Sequence, residues 1–196
     1  MSLSNLQQQV LIGTLLGDGH LERSGKFVRL KIDHSEKQSE YVWWKYQIFK
    51  NFVPSPPRYI QVFDQRYDKV YQHCRFATKS LQILENFYNL FYLRQKKVLP
   101  KKITQLLSTP QSLAVWYMDD GARRTDCNAL RLHTNSFTMP EQKVLQEVLL
   151  KNFKIKTKIH KAGAKTHVLY IPASQAQAFC NLVSPFMLPS LKGKLL

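Results

Sequence analysis

Two aspartates, each followed by glycine, stand 102 positions apart in this chain. Each closes an apolar run of helical character, Leu11-Ile-Gly-Thr-Leu-Leu-Gly-Asp-Gly19 and Leu113-Ala-Val-Trp-Tyr-Met-Asp-Asp-Gly121. A carboxylate in the last turn of a helix meets the negative end of the helix dipole. If the two helices pack side by side, Asp18 and Asp120 come together at one end and repel each other. Divalent cations resolve both conflicts, because a bound ion becomes the largest local charge and carboxylates are hard oxygen ligands. Gly13 and Gly17 lie four apart on one helix face, which lets a partner helix approach closely. Gly19 and Gly121 suit the left-handed position just past a helix end.

One apolar helix ending in Asp-Gly is ordinary core; two, each followed by the same series of elements, are a repeat. Thr109 and Pro110 are the cap and first-turn residues of the second helix. After each Asp-Gly comes a strictly alternating run, Lys26–His34 and Ala129–Thr134, with Val28, Leu30 and Ile32 or Leu130 and Leu132 on the apolar side. That period is a half-buried strand. Helical stretches follow at Ser39–Phe52 and Glu141–Phe153. Paired alternating runs come next, Arg58–Asp64 with Val70–Phe76 and Lys156–Lys161 with His167–Ile171. Ser80–Phe91 and Ser174–Val183 close the halves as helices. The expected fold is α+β, two pseudo-symmetric αββαββα repeats. Each holds a four-stranded antiparallel saddle-like sheet with helices on one face, and the two join through a central two-helix interface. The predicted domains are residues 1–93 and 109–196, with a basic linker at 94–108 that contains a short helix.

The 196 residues carry 29 Lys and Arg against 13 Asp and Glu, a formal charge of +16. Both halves share the excess (+7 before residue 101, +9 after), so it belongs to the folded body and not to one basic arm. Self-repulsion of that size favours a polyanion partner, nucleic acid before an anionic membrane. Hydrophobic residues make up 44% and aromatics 12%, which excludes a disordered tail. Cys74, Cys127 and Cys180 are odd in number without a CxxC pair, which excludes a disulfide scaffold or zinc ribbon and leaves buried, inert thiols. The six histidines lack ligand spacing. No run approaches a membrane span and the N-terminal residues are polar, so a soluble intracellular protein without a signal peptide is expected.

On these residues the chain resembles the LAGLIDADG homing endonucleases in their single-chain form with two motif copies. The resemblance covers essentially the whole chain. It departs from the consensus at Leu16 and Met118, where an acid is usual, and at Val115 and Asp119, where small residues are usual. It implies Asp18 and Asp120 as catalytic metal-binding acids, with the carbonyls of Gly17 and Asp119 as further ligands of Mg²⁺. Mn²⁺ is expected to substitute, and Ca²⁺ to support binding without cleavage. It also implies a lysine near the end of each half, Lys97 (rival Lys96) and Lys194 (rival Lys192), and polar residues that position water, Ser35 and Asn135. The implied activity is sequence-specific double-strand cleavage of DNA by a monomer; an RNA-binding intron-splicing maturase is the alternative. Such intron-encoded proteins are made within a chloroplast, a mitochondrion or a prokaryotic cytoplasm.

The polar sides of the strands offer Arg23, Lys26, Arg29, Lys31, Arg58, Gln61, Tyr71, His73 and Arg75 in the first half. The second half offers Arg123, Arg124, Arg131, His133, Lys156, Lys158, His160, Lys165 and Tyr170. These types hydrogen-bond base edges in the major groove while neighbouring cations hold phosphates. The aromatic run Tyr41–Tyr46 falls on a helix and reads as core.

Overall fold

The computed structural model describes residues 2–164 and 166–196. The chain divides into two compact units, Met1–Gln8 with Asp18–Asn89, and Gln9–Gly17 with Leu90–Leu196. The first motif helix, α1 (Asn5–Leu16), therefore sends most of its length into the second unit.

The first unit is built on an antiparallel sheet of β1 (His20–Ser24), β2 (Phe27–Ser35), β3 (Arg58–Asp64) and β4 (Lys69–Ala77), in the order β1-β2-β4-β3. Strict alternation in β2 buries Val28, Leu30, Ile32 and His34 on one side. That side is covered by α2 (Ser39–Phe49), with Tyr41, Val42 and Phe49 turned inward, and Arg23 of β1 reaches Glu85 and Tyr88 of α3 (Gln82–Phe91). The aromatic run on α2 is mainly core, as its type suggests, although Trp43 is exposed.

The second unit opens with a hairpin of β5 (Tyr92–Leu93) and β6 (Lys96–Lys97), then the short helix α4 (Ile103–Leu106). The two turn residues Arg94 and Gln95 both have positive φ (47° and 65°), the handedness a two-residue hairpin requires. Helix α5 (Pro110–Asp120) starts where its cap predicts, with Thr109 Oγ1 accepting from Ser112 N. The second sheet holds β7 (Gly121–Arg123), β8 (Leu130–Leu132), β9 (Lys158–Lys161) and β10 (His167–Ile171), in the order β7-β8-β10-β9. Helix α6 begins at Met139, two residues before the expected Glu141, because Thr138 and Glu141 form a capping box; it runs to Phe153. Helix α7 (Ala173–Val183) and 3₁₀ turns to Lys194 complete the unit. Residues 94–108 are tied down within it. Asn152 Nδ2 donates to the carbonyls of Thr104 (2.8 Å) and Leu107 (2.7 Å), and Leu99 N donates to Glu141 Oε1 (2.8 Å).

Within this unit the buried length of α1 packs on α5, and the contact is asymmetric. A Cβ on Gly13 would stand 2.4 Å from the Ser112 carbonyl oxygen and 2.6 Å from Val115 Cβ. One on Gly17 would stand 2.4 Å from Asp119 Cβ. The glycines of α1 thus make room for the larger residues that α5 carries at the same motif positions. Gly121 does not take the left-handed conformation expected of it. Its backbone is extended (φ −79°, ψ 146°), and it is needed because a Cβ would lie 2.3 Å from the Tyr117 carbonyl oxygen. Among the described residues the glycine with positive φ is Gly25, in the β1–β2 turn.

Candidate functional site

In each motif the carbonyl just before the acid receives a lysine. Lys97 Nζ, delivered by the Arg94-Gln95 turn to the end of β6, donates to the Gly17 carbonyl at 2.8 Å. Lys194 Nζ, at the end of the last 3₁₀ turn, donates to the carbonyls of Met118 (2.5 Å) and Asp119 (3.1 Å). The rivals Lys96 and Lys192 are exposed and carry no such contact among the hydrogen bonds described. The Asp18 carboxylate is half open to solvent at 52% exposure. The Asp120 carboxylate accepts from Trp116 Nε1 at 3.2 Å, one turn back on α5, and its carbonyl accepts from His133 N at 2.9 Å. The Asp119 side chain is buried against Gly17. Ser35 ends β2 and Asn135 lies in the turn after β8, both exposed.

In the first sheet, strand pairing decides which residues share the face away from the helices. Arg29 and Lys31 of β2, Tyr71, His73 and Arg75 of β4, and Arg58 of β3 lie together there. A cleft lined by Arg29, Lys31, Arg58 and Arg75 opens between the strands. Two acids the composition argument passed over sit among these cations. Arg29 and Lys31 donate to Glu22 (2.5 and 3.1 Å), which keeps that carboxyl below the usual range, and His73 Nδ1 lies 2.7 Å from Asp33 Oδ1. They anchor the basic side chains in set directions, and either acid can itself accept from a cytosine amine. Lys26 projects from the β1–β2 turn.

Two expected members of this face are elsewhere. Arg23 pairs with Val28 and so points to the helix side, where its guanidinium donates to Glu85 at 2.8 Å and lies 4.5 Å over the Tyr88 ring. Gln61 pairs with Gln72 beside Tyr59 and Cys74, on the face opposite Arg58. In strands so short, period two establishes alternation but not which parity faces inward; the pairing partner decides it.

The second sheet groups Arg131, Lys158, His160 and Tyr170 on one face, with the His160 and Tyr170 rings stacked 4.1 Å apart. His133 follows β8, exposed. Burial, then Arg131 and Lys194, push the His133 pKa down; burial, then Arg131, Lys158 and Arg124, do the same for His160. Both shifts favour the neutral ring, a hydrogen-bonding partner, over the cation. Arg123 pairs with Leu130 but is exposed, and it lines a cleft with Arg124, Arg131 and His133. Arg124 lies past the strand end, paired with Asp126 and 5.9 Å from the Tyr170 ring centre. Lys156 precedes β9, exposed, and Lys165 lies outside the described residues. Cys74 and Cys180 are buried as expected, whereas Cys127 is exposed. Among the described residues no helix is long and apolar enough to cross a membrane.

Comparison with known proteins places this geometry. The sequence model of the LAGLIDADG DNA endonuclease family matches residues 8–179. DNA endonuclease I-ChuI of Chlamydomonas applanata is 30% identical over 99% of this chain and 96% of its own length. Cytochrome b mRNA maturase bI2 of Debaryomyces hansenii is 30% identical over 95% of this chain and 72% of its own. Among solved structures, the homing endonuclease I-WcaI bound to its DNA recognition sequence superposes with a TM-score of 0.92 at 28% identity, covering 100% of this chain and 88% of that one. Two Asp-Gly motif helices, antiparallel sheets and a family match spanning most of the sequence agree, and the chain belongs to the LAGLIDADG DNA endonuclease family.

Proposed function

We propose that this chain makes a double-strand break at a specific DNA sequence by divalent-metal-dependent phosphodiester hydrolysis. The observation that carries the reading is the lysine ammonium seated on the carbonyl just before each motif acid, Lys97 on Gly17 and Lys194 on Met118 and Asp119. The strand orders β1-β2-β4-β3 and β7-β8-β10-β9 support two pseudo-symmetric repeats, residues 1–93 and 109–196, with 94–108 between them. In each repeat the basic face of the sheet reads one part of the double-stranded target.

The donor set fits a hard cation. The carbonyls of Gly17, Met118 and Asp119 already accept from ammonium groups, so they face positive charge, and the carboxylates of Asp18 and Asp120 follow directly in sequence. Mg²⁺ takes oxygen ligands and keeps several waters; when bound, it acidifies water for attack on phosphorus and neutralises the leaving 3′ oxygen. Mn²⁺ substitutes, and Ca²⁺ supports binding without cleavage. Asp18 and Asp120 are the metal-binding carboxylates. Lys97 and Lys194 stabilise the charge that builds on the phosphoryl oxygens, and Ser35 and Asn135 position water. Lys97→Met and Lys194→Met keep the aliphatic stem and remove the charge. Each is expected to slow cleavage by about 10²–10³-fold, the usual cost of one preorganised electrostatic donor. Gel-shift affinity should change little, and wild-type rates in either variant would remove that lysine from the reaction.

Binding should depend steeply on salt. A protein that neutralises about 8 phosphates has a log–log slope near −7, at roughly −0.9 per contact. A measured slope shallower than about −3 would assign the +16 charge to another partner. The packing of the buried part of α1 on α5 of the same chain supports a monomer; sedimentation at twice the 22.9 kDa mass would contradict this.

A test of the whole reading is a selection for cut sites from a randomised DNA library in Mg²⁺, followed by linearisation of a plasmid carrying the selected site. The relative named as an mRNA maturase favours one second reading, an intron RNA-binding splicing factor. Tight intron binding without DNA cutting would establish that alternative. Expression within an organelle or a prokaryotic cytoplasm goes with either reading.

A further inference from the structure

We infer that His34 is a positioning residue for Asp18, and that the two motif acids are held by chemically different neighbours, so that His34 governs the cutting of one DNA strand. This rests on the nuclease reading above.

His34 lies on the buried side of β2, paired with Cys74, and its side chain is only 4% exposed. Its Nδ1 lies 3.8 Å from Asp18 Oδ2. The ring also meets Tyr41 (centres 5.5 Å apart), and Tyr41 in turn carries the wholly buried Lys45, whose Nζ sits 4.1 Å over its ring. The imidazole is thus packed in place with one nitrogen turned toward the acid. A buried polar side chain on a core face needs a partner to offset its desolvation. Contacts at 3.8 Å in a free enzyme commonly tighten once the reacting complex assembles. An N–H donated to Oδ2 would hold the carboxylate plane and leave Oδ1 directed outward, the usual way a neighbour tunes a ligating group.

The second half is built differently. Thr134 precedes Asn135 as His34 precedes Ser35, and it is also buried. Its hydroxyl donates to Gln142 Oε1 (3.1 Å) and accepts from Leu169 N (3.2 Å), so it is committed to the core. Asp120 is held instead by the Trp116 indole N–H. The residue four before Asp18 is Thr14, whose buried hydroxyl makes no hydrogen bond. At the place where α5 carries the indole of Trp116, α1 carries Thr14, and β2 brings an imidazole to Asp18.

The test uses the full chain and a supercoiled plasmid carrying its selected site in Mg²⁺, with each strand labelled separately. His34→Leu should slow one strand by about 10–100-fold, the range for loss of a residue that orients a ligand, so nicked circles accumulate. His34→Asn, which keeps a donor near the Nδ1 position, should recover most of that loss. A second readout needs neither metal nor DNA. In metal-free protein, Asp18→Asn should shift the His34 ring ¹⁵N resonances, and Asp120→Asn should leave them in place and shift the Trp116 indole N–H instead. Equal slowing of both strands, an unchanged rate in His34→Leu, or unmoved His34 resonances in Asp18→Asn would each overturn the inference. If wild-type protein cuts nothing, the nuclease reading fails while the resonance experiment still decides the His34 contact.

Discussion

Asp18→Asn and Asp120→Asn are each expected to lower DNA cleavage by about 10³-fold or more while leaving specific binding intact or tighter. Asparagine keeps the size and shape of the side chain but removes the charge that holds a divalent cation. Such a cation contributes several kcal/mol of charge stabilisation in the transition state, and each 1.36 kcal/mol is tenfold in rate. Binding follows the opposite logic, since losing a carboxylate beside the DNA backbone removes a repulsion. The double variant should be inert, bind its site, and gain nothing from Ca²⁺. The measurement is the rate of plasmid linearisation beside gel-shift affinity. Wild-type double-strand cutting by either single variant would show that acid to be misassigned. Asp119, Asp126 and Glu22 would then be the next acids to test.

Gly13→Ala should be among the most destabilising single-methyl changes in the chain. The added Cβ would lie 2.4 Å from the Ser112 carbonyl oxygen and 2.6 Å from Val115 Cβ. The first is a backbone atom of a buried helix and cannot swing aside, so α1 and α5 must separate. Overpacking of this kind costs about 1–3 kcal/mol, and the upper end is expected here. For a chain of this size each kcal/mol lowers Tm by roughly 2–4 °C, so a fall of about 6–12 °C is expected. Gly193→Ala is the matched control, since its added Cβ meets nothing within 4 Å; it should melt within about 0.5 kcal/mol of wild type. If Gly13→Ala melts with the control, the close helix contact does not contribute to stability.

Much of this architecture is local, and local features are legible in a sequence. Alternation marked β2 to within a residue, because a strand with one buried side must repeat with period two. Thr109 and Pro110 marked the start of α5, because the first backbone N–H groups of a helix need a side-chain acceptor. The two Asp-Gly runs, the repeated element order and the shared positive charge sufficed to indicate the family and a DNA substrate. Tertiary structure decided what depends on partners distant along the chain. Arg23 and Gln61 share residue types with the basic sheet face but lie on the opposite parity, which only strand pairing reveals. Lys97 could not be separated from Lys96 in sequence, because neither Arg94 nor Gln95 announces the left-handed turn that aims it at Gly17. Val115 and Asp119 looked too large for a close helix pair until α1 was seen to set a glycine against each. That the His34 ring faces Asp18 follows from how β2 lies beside that acid, a juxtaposition of residues 16 positions apart that no local pattern encodes.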